Sequence, residues 1–224
     1  MVQYGVEQYR QQYLARHWFP LIVQEIAELC KDKIVVDLGC GTGTYLLPAM
    51  TYTTQIIGVD SSKLMLNYTK KKYPEVPLIL CDAQNIPIAD GSVDTVLCIG
   101  LLEYVDRKIV MKEIWRILKS KGNALLVCPN KYSAARMPYK LYCKITGKPY
   151  FCDEPSYKEL RCLIKLSKFS VVKVILNDGL IWLPVFIDRV IGNQVYRIIE
   201  WICRSVHLNS FSNVMLIVVE KNET

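Results

Sequence analysis

Residues 34–44, Ile-Val-Val-Asp-Leu-Gly-Cys-Gly-Thr-Gly-Thr, constrain this chain more than any other stretch. An apolar run interrupted by one acid passes straight into alternating glycines. A short run of that kind predicts a strand buried on both faces. The glycines predict a tight loop, and Thr44 onward the start of a helix. Such a junction sets bare backbone N–H groups and a helix N-terminus at the carboxyl end of a strand, which is where open α/β sheets bind small ligands. One turn does not need three glycines at alternate positions, and Asp37 is a costly neighbour for a buried strand unless it has a task there.

The pattern repeats downstream. Gln55-Ile-Ile-Gly-Val-Asp60 is a second apolar run ending in an acid, 21 positions after Gly39. Pro77-Leu-Ile-Leu-Cys81 is a third, followed by Asp82-Ala83. Thr95–Ile99 and Asn123–Cys128 supply a fourth and a fifth. Helical segments fall between them, at 45–52, from Ser61-Ser62 to Tyr73, and over 107–118. Strand and helix periods thus alternate from residue 34 to residue 128, which predicts a parallel sheet wound with helices on both faces. Asp60, at the tip of the second strand, is placed to accept both hydroxyls of a ribose. The dinucleotide pattern needs a glycine where Thr44 stands, and the phosphate loop needs a lysine that is absent.

What remains, Asp37-Leu-Gly-Cys-Gly-Thr-Gly43, resembles motif I of the class I S-adenosylmethionine (SAM) methyltransferases. The loop 85–94 resembles the same family's segment before the fourth strand, with Asp94 expected to order that loop. Gly100-Leu-Leu-Glu-Tyr-Val105 stands at its post-strand motif. Glu113-Ile-Trp-Arg-Ile-Leu-Lys-Ser-Lys-Gly122 resembles its helix and turn, with Ser120 and Lys121 in place of proline and the first glycine, and Glu113 and Arg116 expected as structural partners. The chain is similar to the small-molecule "methyltransferase type 11" group. The resemblance implies a Rossmann-like, doubly wound seven-stranded sheet in order 3-2-1-4-5-7-6 with the last strand antiparallel. It implies SAM as cofactor. Gly39, Gly41 and Gly43 would face the methionyl end, with Asp37 holding the loop or the amino group. Asp60 and Ser61 would take the ribose, Met65 an adenine face, and Asp82 and Ala83 the adenine edge. Ile99 and Gly100 complete the set, and Tyr13 and Arg16 on an N-terminal helix would reach the methionine carboxylate.

The rest of the chain bears on the acceptor. We expect one domain over 1–224, with a helical cap at 1–30 and substrate-side insertions at 131–155 and 179–208. The net charge of +7 is local: ten Lys/Arg face three acids between Lys131 and Lys173. Such a patch suits an acidic substrate or an anionic surface, or simply a solvated face. Leu180–Ile187 is almost wholly apolar, and apolar residues then recur at helical spacing to Val206. That pattern suits a helix packed on the core, a lid over a lipid-like acceptor, or a peripheral membrane contact through 180–206; interspersed charges exclude a membrane span. Nine scattered cysteines without a C-x-x-C pair favour neither a disulfide framework nor a zinc site. With no signal peptide at the N-terminus, they point to a reducing cytoplasm.

The function expected is methyl transfer from SAM to the oxygen or nitrogen of a small-molecule or lipid-like acceptor. Glu103 and His207 are the candidate catalytic residues, and the sequence identifies no general base. An NAD-linked dehydrogenase, an RNA methyltransferase and a non-catalytic SAM-binding partner subunit are the alternatives. Thr44 and Asp82-Ala83 count against the first. No stacking-and-groove signature accompanies the basic patch, which counts against nucleic acid.

Overall fold

The computed structural model describes residues 18–133, 136–177 and 214–223. Tyr13, Arg16 and His207, and the apolar segment 180–206, lie outside the described residues. In chain order the elements are α1 (Phe19–Cys30), β1 (Val35–Leu38), α2 (Leu46–Met50), β2 (Ile56–Asp60), α3 (Lys63–Lys72), β3 (Leu78–Leu80) and β4 (Val93–Ile99). Then follow α4 (Arg107–Ile117), β5 (Leu118–Pro129), α5 (Met137–Thr146), α6 (Tyr157–Leu166), β6 (Phe169–Asn177) and β7 (Val214–Lys221). The strands form one seven-stranded sheet in the order β3-β2-β1-β4-β5-β7-β6. β7 runs antiparallel to both its neighbours, and the other pairings are parallel. The predicted topology and the order of elements are those found.

The sheet is buried on both sides. On β4, Val96 and Cys98 belong to one core, with Val110, Ile114 and Ile117 of α4 and Leu160 and Ile164 of α6. Leu97 and Ile99 belong to the other, with Ile22 and Ile26 of α1, Leu46 of α2 and Leu66 of α3. This alternation is the strand period of two read out on two faces. It explains why β1 and β4 are apolar at almost every position.

Three of the described helices, α3, α4 and α6, start on side-chain caps. The Asp106 carboxylate accepts the amides of Lys108 and Ile109. Ser62 accepts from Met65 at the head of α3, whereas its neighbour Ser61 makes no cap. Ser156 and Glu159 form a reciprocal capping box at α6.

Three expectations need correction. The helix after the glycine loop is only five residues long, Leu46–Met50, so it supplies little dipole at the loop. The turn at Ser120–Gly122 is absorbed into β5, which begins at Leu118 and loses register with β4 between Leu118 and Asn123. Lys121 sits there at φ +59°, the left-handed conformation for which the family pattern carries glycine. Asp94 does not order the loop before it. Its carboxylate accepts the Ile34 amide at 2.9 Å and the Lys119 ammonium at 2.8 Å, pinning the start of β1. The loop is held instead by the pair expected to be structural. Glu113 accepts the Ile86 amide, and Arg116 donates to the Ile86 and Ile88 carbonyls while bonding Glu113 through two nitrogens.

Candidate functional site

The carboxyl ends of β1, β2, β3 and β4 meet at the glycine loop, which is tied down almost completely from within. The amides of Gly39 and Cys40 both donate to the Val59 carbonyl, and Gly43 donates to Cys40. The Gly41 amide donates to Asp60 Oδ2 at 2.8 Å, and the Thr69 hydroxyl donates to the Gly41 carbonyl at 2.7 Å. The expected bare N–H groups at these four positions are therefore already used. The neighbouring strand β2 satisfies three of them and the Cys40 carbonyl the fourth, so at these positions the loop offers a ligand its shape rather than an anion-binding nest.

Each glycine serves a different need. At Gly39 (φ +78°) an added Cβ would press on Leu101 at 3.2 Å. At Gly41 (φ +51°) there is room for one, so its conformation alone selects glycine. At Gly43 a Cβ would lie 2.8 Å from the Tyr73 ring and 3.0 Å from the Thr69 methyl. Gly43 thus lets α3 pack against the loop and lines no hollow.

Three adjoining hollows run along this edge of the sheet. The outer one is lined by Gly39, Asp60, Ser61, Asp82, Ala83 and Gln84, with Leu101 and Tyr104 above. The middle one follows the loop through Gly41, Thr42, Thr44 and Tyr45 to Ile99 and Gly100. The inner one, of about 170 Å³, continues from Tyr45, Ile99 and Gly100 to Trp18, Ile22, Glu103, Val127, Arg136 and Val214. Gly39 joins the first to the second, and Tyr45, Ile99 and Gly100 join the second to the third. Of the expected site residues, Met65 is half-buried on α3 and lines none of them.

The rim is electronegative. Asp37 lies inside β1, Asp60 is the last residue of β2, and Asp82 lies two residues beyond the end of β3. Asp37 is 2% exposed, and its Oδ2 has no hydrogen-bond partner among the described residues. It does not tie down the loop amides, which Val59 and Asp60 hold instead. Burial, and then the charge of Asp60, push its carboxyl up to about 7. Asp60 accepts Gly41 with one oxygen and the Ser62 amide with the other, at 2.8 Å each. Each oxygen keeps a second lone pair for a hydroxyl. Asp82 is exposed and accepts the Gln84 amide in a tight turn at 2.8 Å. Asp60 and Asp82, beside a loop whose amides are spent, disfavour a pyrophosphate and suit a ligand with hydroxyl donors and positive charge. That is the electrostatic opposite of a dinucleotide site.

Most residues lining the inner hollow are apolar in type, its open surface is rather more polar than apolar, and it carries two charged side chains, Glu103 and Arg136. Glu103 is 5% exposed. Arg136 precedes α5 and donates to Glu154 Oε1 at 2.7 Å. Glu154 is itself buried and also accepts the Tyr150 hydroxyl at 2.6 Å and pairs with Lys140. The insertion after β5 therefore closes on one buried carboxylate, which fixes Arg136 at the hollow. Burial and Glu154 raise the Tyr150 phenol above its ordinary value. Sequence reasoning missed Trp18, Thr42, Tyr45, Arg136 and Glu154 as site residues. Thr42, inside the glycine motif, and Arg136 and Glu154, inside the insertion expected at 131–155, carried some signal; Trp18 and Tyr45 carried none toward a site.

The chain matches the family described as "Methyltransferase domain" over residues 36–126. It is 34% identical over 174 residues to a demethylmenaquinone methyltransferase of Thermotoga maritima, covering 72% of this chain and 76% of that one. An uncharacterized methyltransferase-like protein of Schizosaccharomyces pombe is 35% identical over 128 residues, and the chain spans about half its length, 49%. Among solved structures, the geranyl diphosphate C-methyltransferase of Streptomyces coelicolor superposes with a TM-score of 0.65 at 17% identity, over 90% of this chain and 80% of that one.

Proposed function

The chain belongs to the methyltransferase-domain family and is a SAM-dependent methyltransferase, and we propose that its acceptor is a small apolar molecule bearing a phenol-type oxygen, seated in the inner hollow. The observation that carries this reading is the continuity of that hollow with the glycine-loop hollow through Tyr45, Ile99 and Gly100. The name of the Thermotoga maritima relative, a demethylmenaquinone methyltransferase, supports this reading, since the reduced form of a quinone ring carries phenol-type hydroxyls.

The residues present fit SAM. Its positive charge suits the acidic side of the cleft at Asp60 and Asp82, and its hydroxyls suit the unused lone pairs of Asp60. We assign Asp60 and Ser61 to the ribose, and Asp82 with the Ala83 amide to the adenine edge. Gly39, Gly41, Thr42, Ile99 and Gly100 would flank the methionyl end. Gly43 and Met65 receive no contact in this assignment. When bound, SAM supplies a methyl group made electrophilic by its sulfonium sulfur.

The protein's task is then alignment and exclusion of water. Trp18, Ile22, Val127 and Val214 pack the acceptor's apolar body. Arg136, held by Glu154, orients its oxygen. Glu103 takes the proton from the acceptor hydroxyl, which raises electron density on the oxygen and on the ring carbons beside it. Methylation at oxygen is then complete as S-adenosylhomocysteine leaves, whereas methylation at a ring carbon also requires that carbon to lose its hydrogen as a proton when aromaticity returns.

The test is methyl transfer from tritium-labelled SAM to a detergent-dispersed prenylated naphthohydroquinone, and to a cell extract split into lipid, small-molecule, protein and RNA fractions. Label in the naphthohydroquinone or the lipid fraction is expected. Label confined to RNA or protein overturns the reading.

A further inference from the structure

Helix α5 carries its apolar residues on the outside. Cys143 is buried on its inward side, whereas Met137, Leu141 and Ile145 are 56, 57 and 75% exposed. Spaced four apart, they make one continuous ridge. Phe151, just past the Gly147 cap, is 80% exposed. A helix that merely packs on a domain turns such residues inward and its charges outward. Here the charges border the ridge. Residues 131–152 hold five Lys/Arg and no acid. Arg136 and Lys140 are engaged inward by Glu154, and Lys131 reaches Glu159. Lys144 and Lys148 stand exposed beside the ridge, with Lys148 capping the face of Tyr142.

An outward apolar ridge with aromatic and lysine borders matches the surface of an anionic bilayer, whose headgroups attract the lysines while its acyl boundary takes up the ridge. The position of the ridge adds to this. Arg136 is the N-cap of α5 and lines the inner hollow, so ridge and hollow share one end. We propose that α5 and Phe151 dock the protein on an anionic lipid bilayer, with the inner hollow beside the docked end of α5. Its use for loading an apolar acceptor rests on the functional reading above; the docking itself does not.

The experiment sediments the full chain with vesicles of phosphatidylglycerol mixed into phosphatidylcholine, and with phosphatidylcholine alone, in the absence of any acceptor. Binding to the mixed vesicles is expected, stronger than to phosphatidylcholine by about tenfold and weakening with salt. The double variant Leu141→Glu/Ile145→Glu should lose about tenfold or more of that binding, while its S-adenosylhomocysteine (SAH) affinity and melting temperature stay those of the parent. Lys144→Glu/Lys148→Glu should lose only the preference for the anionic lipid. Absent sedimentation with the mixed vesicles overturns the proposal, as does undiminished binding by the ridge variant. A wild-type dimer in light scattering that the ridge variant dissociates also overturns it, assigning the ridge to a second copy of this chain. Methyl transfer in detergent is read separately, so failure of the acceptor reading leaves the vesicle result standing.

Discussion

The Asp60 carboxylate accepts the Gly41 amide at 2.8 Å, tying the tip of the second strand to the loop that follows the first. A residue expected only to meet a ribose also holds the loop on which the rest of the cofactor would lie. The Ser62 amide occupies its other oxygen and starts α3.

Asp60→Asn therefore has a double cost. An amide side chain accepts on one arm only, so one of two partly buried N–H groups loses its partner, at roughly 1–2 kcal/mol. SAH affinity should fall by more than about tenfold, with a lower melting temperature. Asp82→Ala, on an exposed turn, should weaken SAH without moving the melting temperature. Calorimetric titration beside thermal denaturation checks both, and an unchanged SAH affinity in Asp60→Asn removes its ribose role.

Alanine at two glycines separates binding from packing. At Gly39 the left-handed φ and the contact with Leu101 act at the edge of the cleft, so Gly39→Ala should weaken SAH most. At Gly43 the new methyl meets the Tyr73 ring at 2.8 Å, inside the packing of α3. Gly43→Ala should lose about 2 kcal/mol or more of stability in a urea titration. Equal effects of the two on SAH affinity would contradict the packing role given to Gly43.

Asp37 makes stability depend on pH. Its folded-state carboxyl lies at about 7 against an ordinary 3.8, through burial first and Asp60 second. The native state therefore keeps a proton that the unfolded chain has already lost. Stability falls as pH rises from about 4 to about 7 and is level in this term above that, by an order of a few kcal/mol. Asp37→Asn removes the titration. Urea midpoints measured from pH 5 to 8 should decline less steeply in the variant than in the parent, and parallel curves would show that Asp37 does not titrate there.

Lys121 occupies a left-handed position at φ +59° with an exposed ion pair to Glu223 at 3.1 Å. Backbone strain should outweigh that pair, because exposed pairs contribute little. Lys121→Gly is expected to raise stability by roughly 0.5–1 kcal/mol with no change in SAH affinity. A lower melting temperature would mean that the ion pair outweighs the strain.

Glu154 is the single buried anion between Arg136, Lys140 and Tyr150. Removing one partner of a buried pair leaves uncompensated charge, at about 3 kcal/mol or more. In Glu154→Ala the insertion after β5 should become sensitive to limited proteolysis and acceptor turnover should fall, while SAH binds as before. Loss of SAH affinity would place Glu154 with the cofactor instead.

The fold and the cofactor cleft were legible because both rest on local signals. Buried strands read as apolar runs, each ends in a residue whose type is set by its place at a strand tip, and the order of elements fixes which tips become neighbours. So Gly39 and Asp60 could be named from their strand ends, and Asp82 and Gly100 from the family resemblance, and all four line the hollows of one edge. Spacing could not show that the loop amides are spent on Val59 and Asp60, that Gly43 serves α3, or that Asp94 pins β1 rather than its own loop. Each is a contact between segments 19 to 60 or more positions apart. The same holds for the inner hollow, where Trp18, Glu103, Val127, Arg136 and Val214 come from five separate segments. The outward ridge of α5 likewise depends on which face packs inward. The sequence by itself determined the sheet, its winding and the edge at which the glycine loop and the strand-tip acids gather. Only the tertiary structure decided which side chains share a cavity or a surface, because those contacts depend on how distant elements pack and leave no periodic trace in the chain.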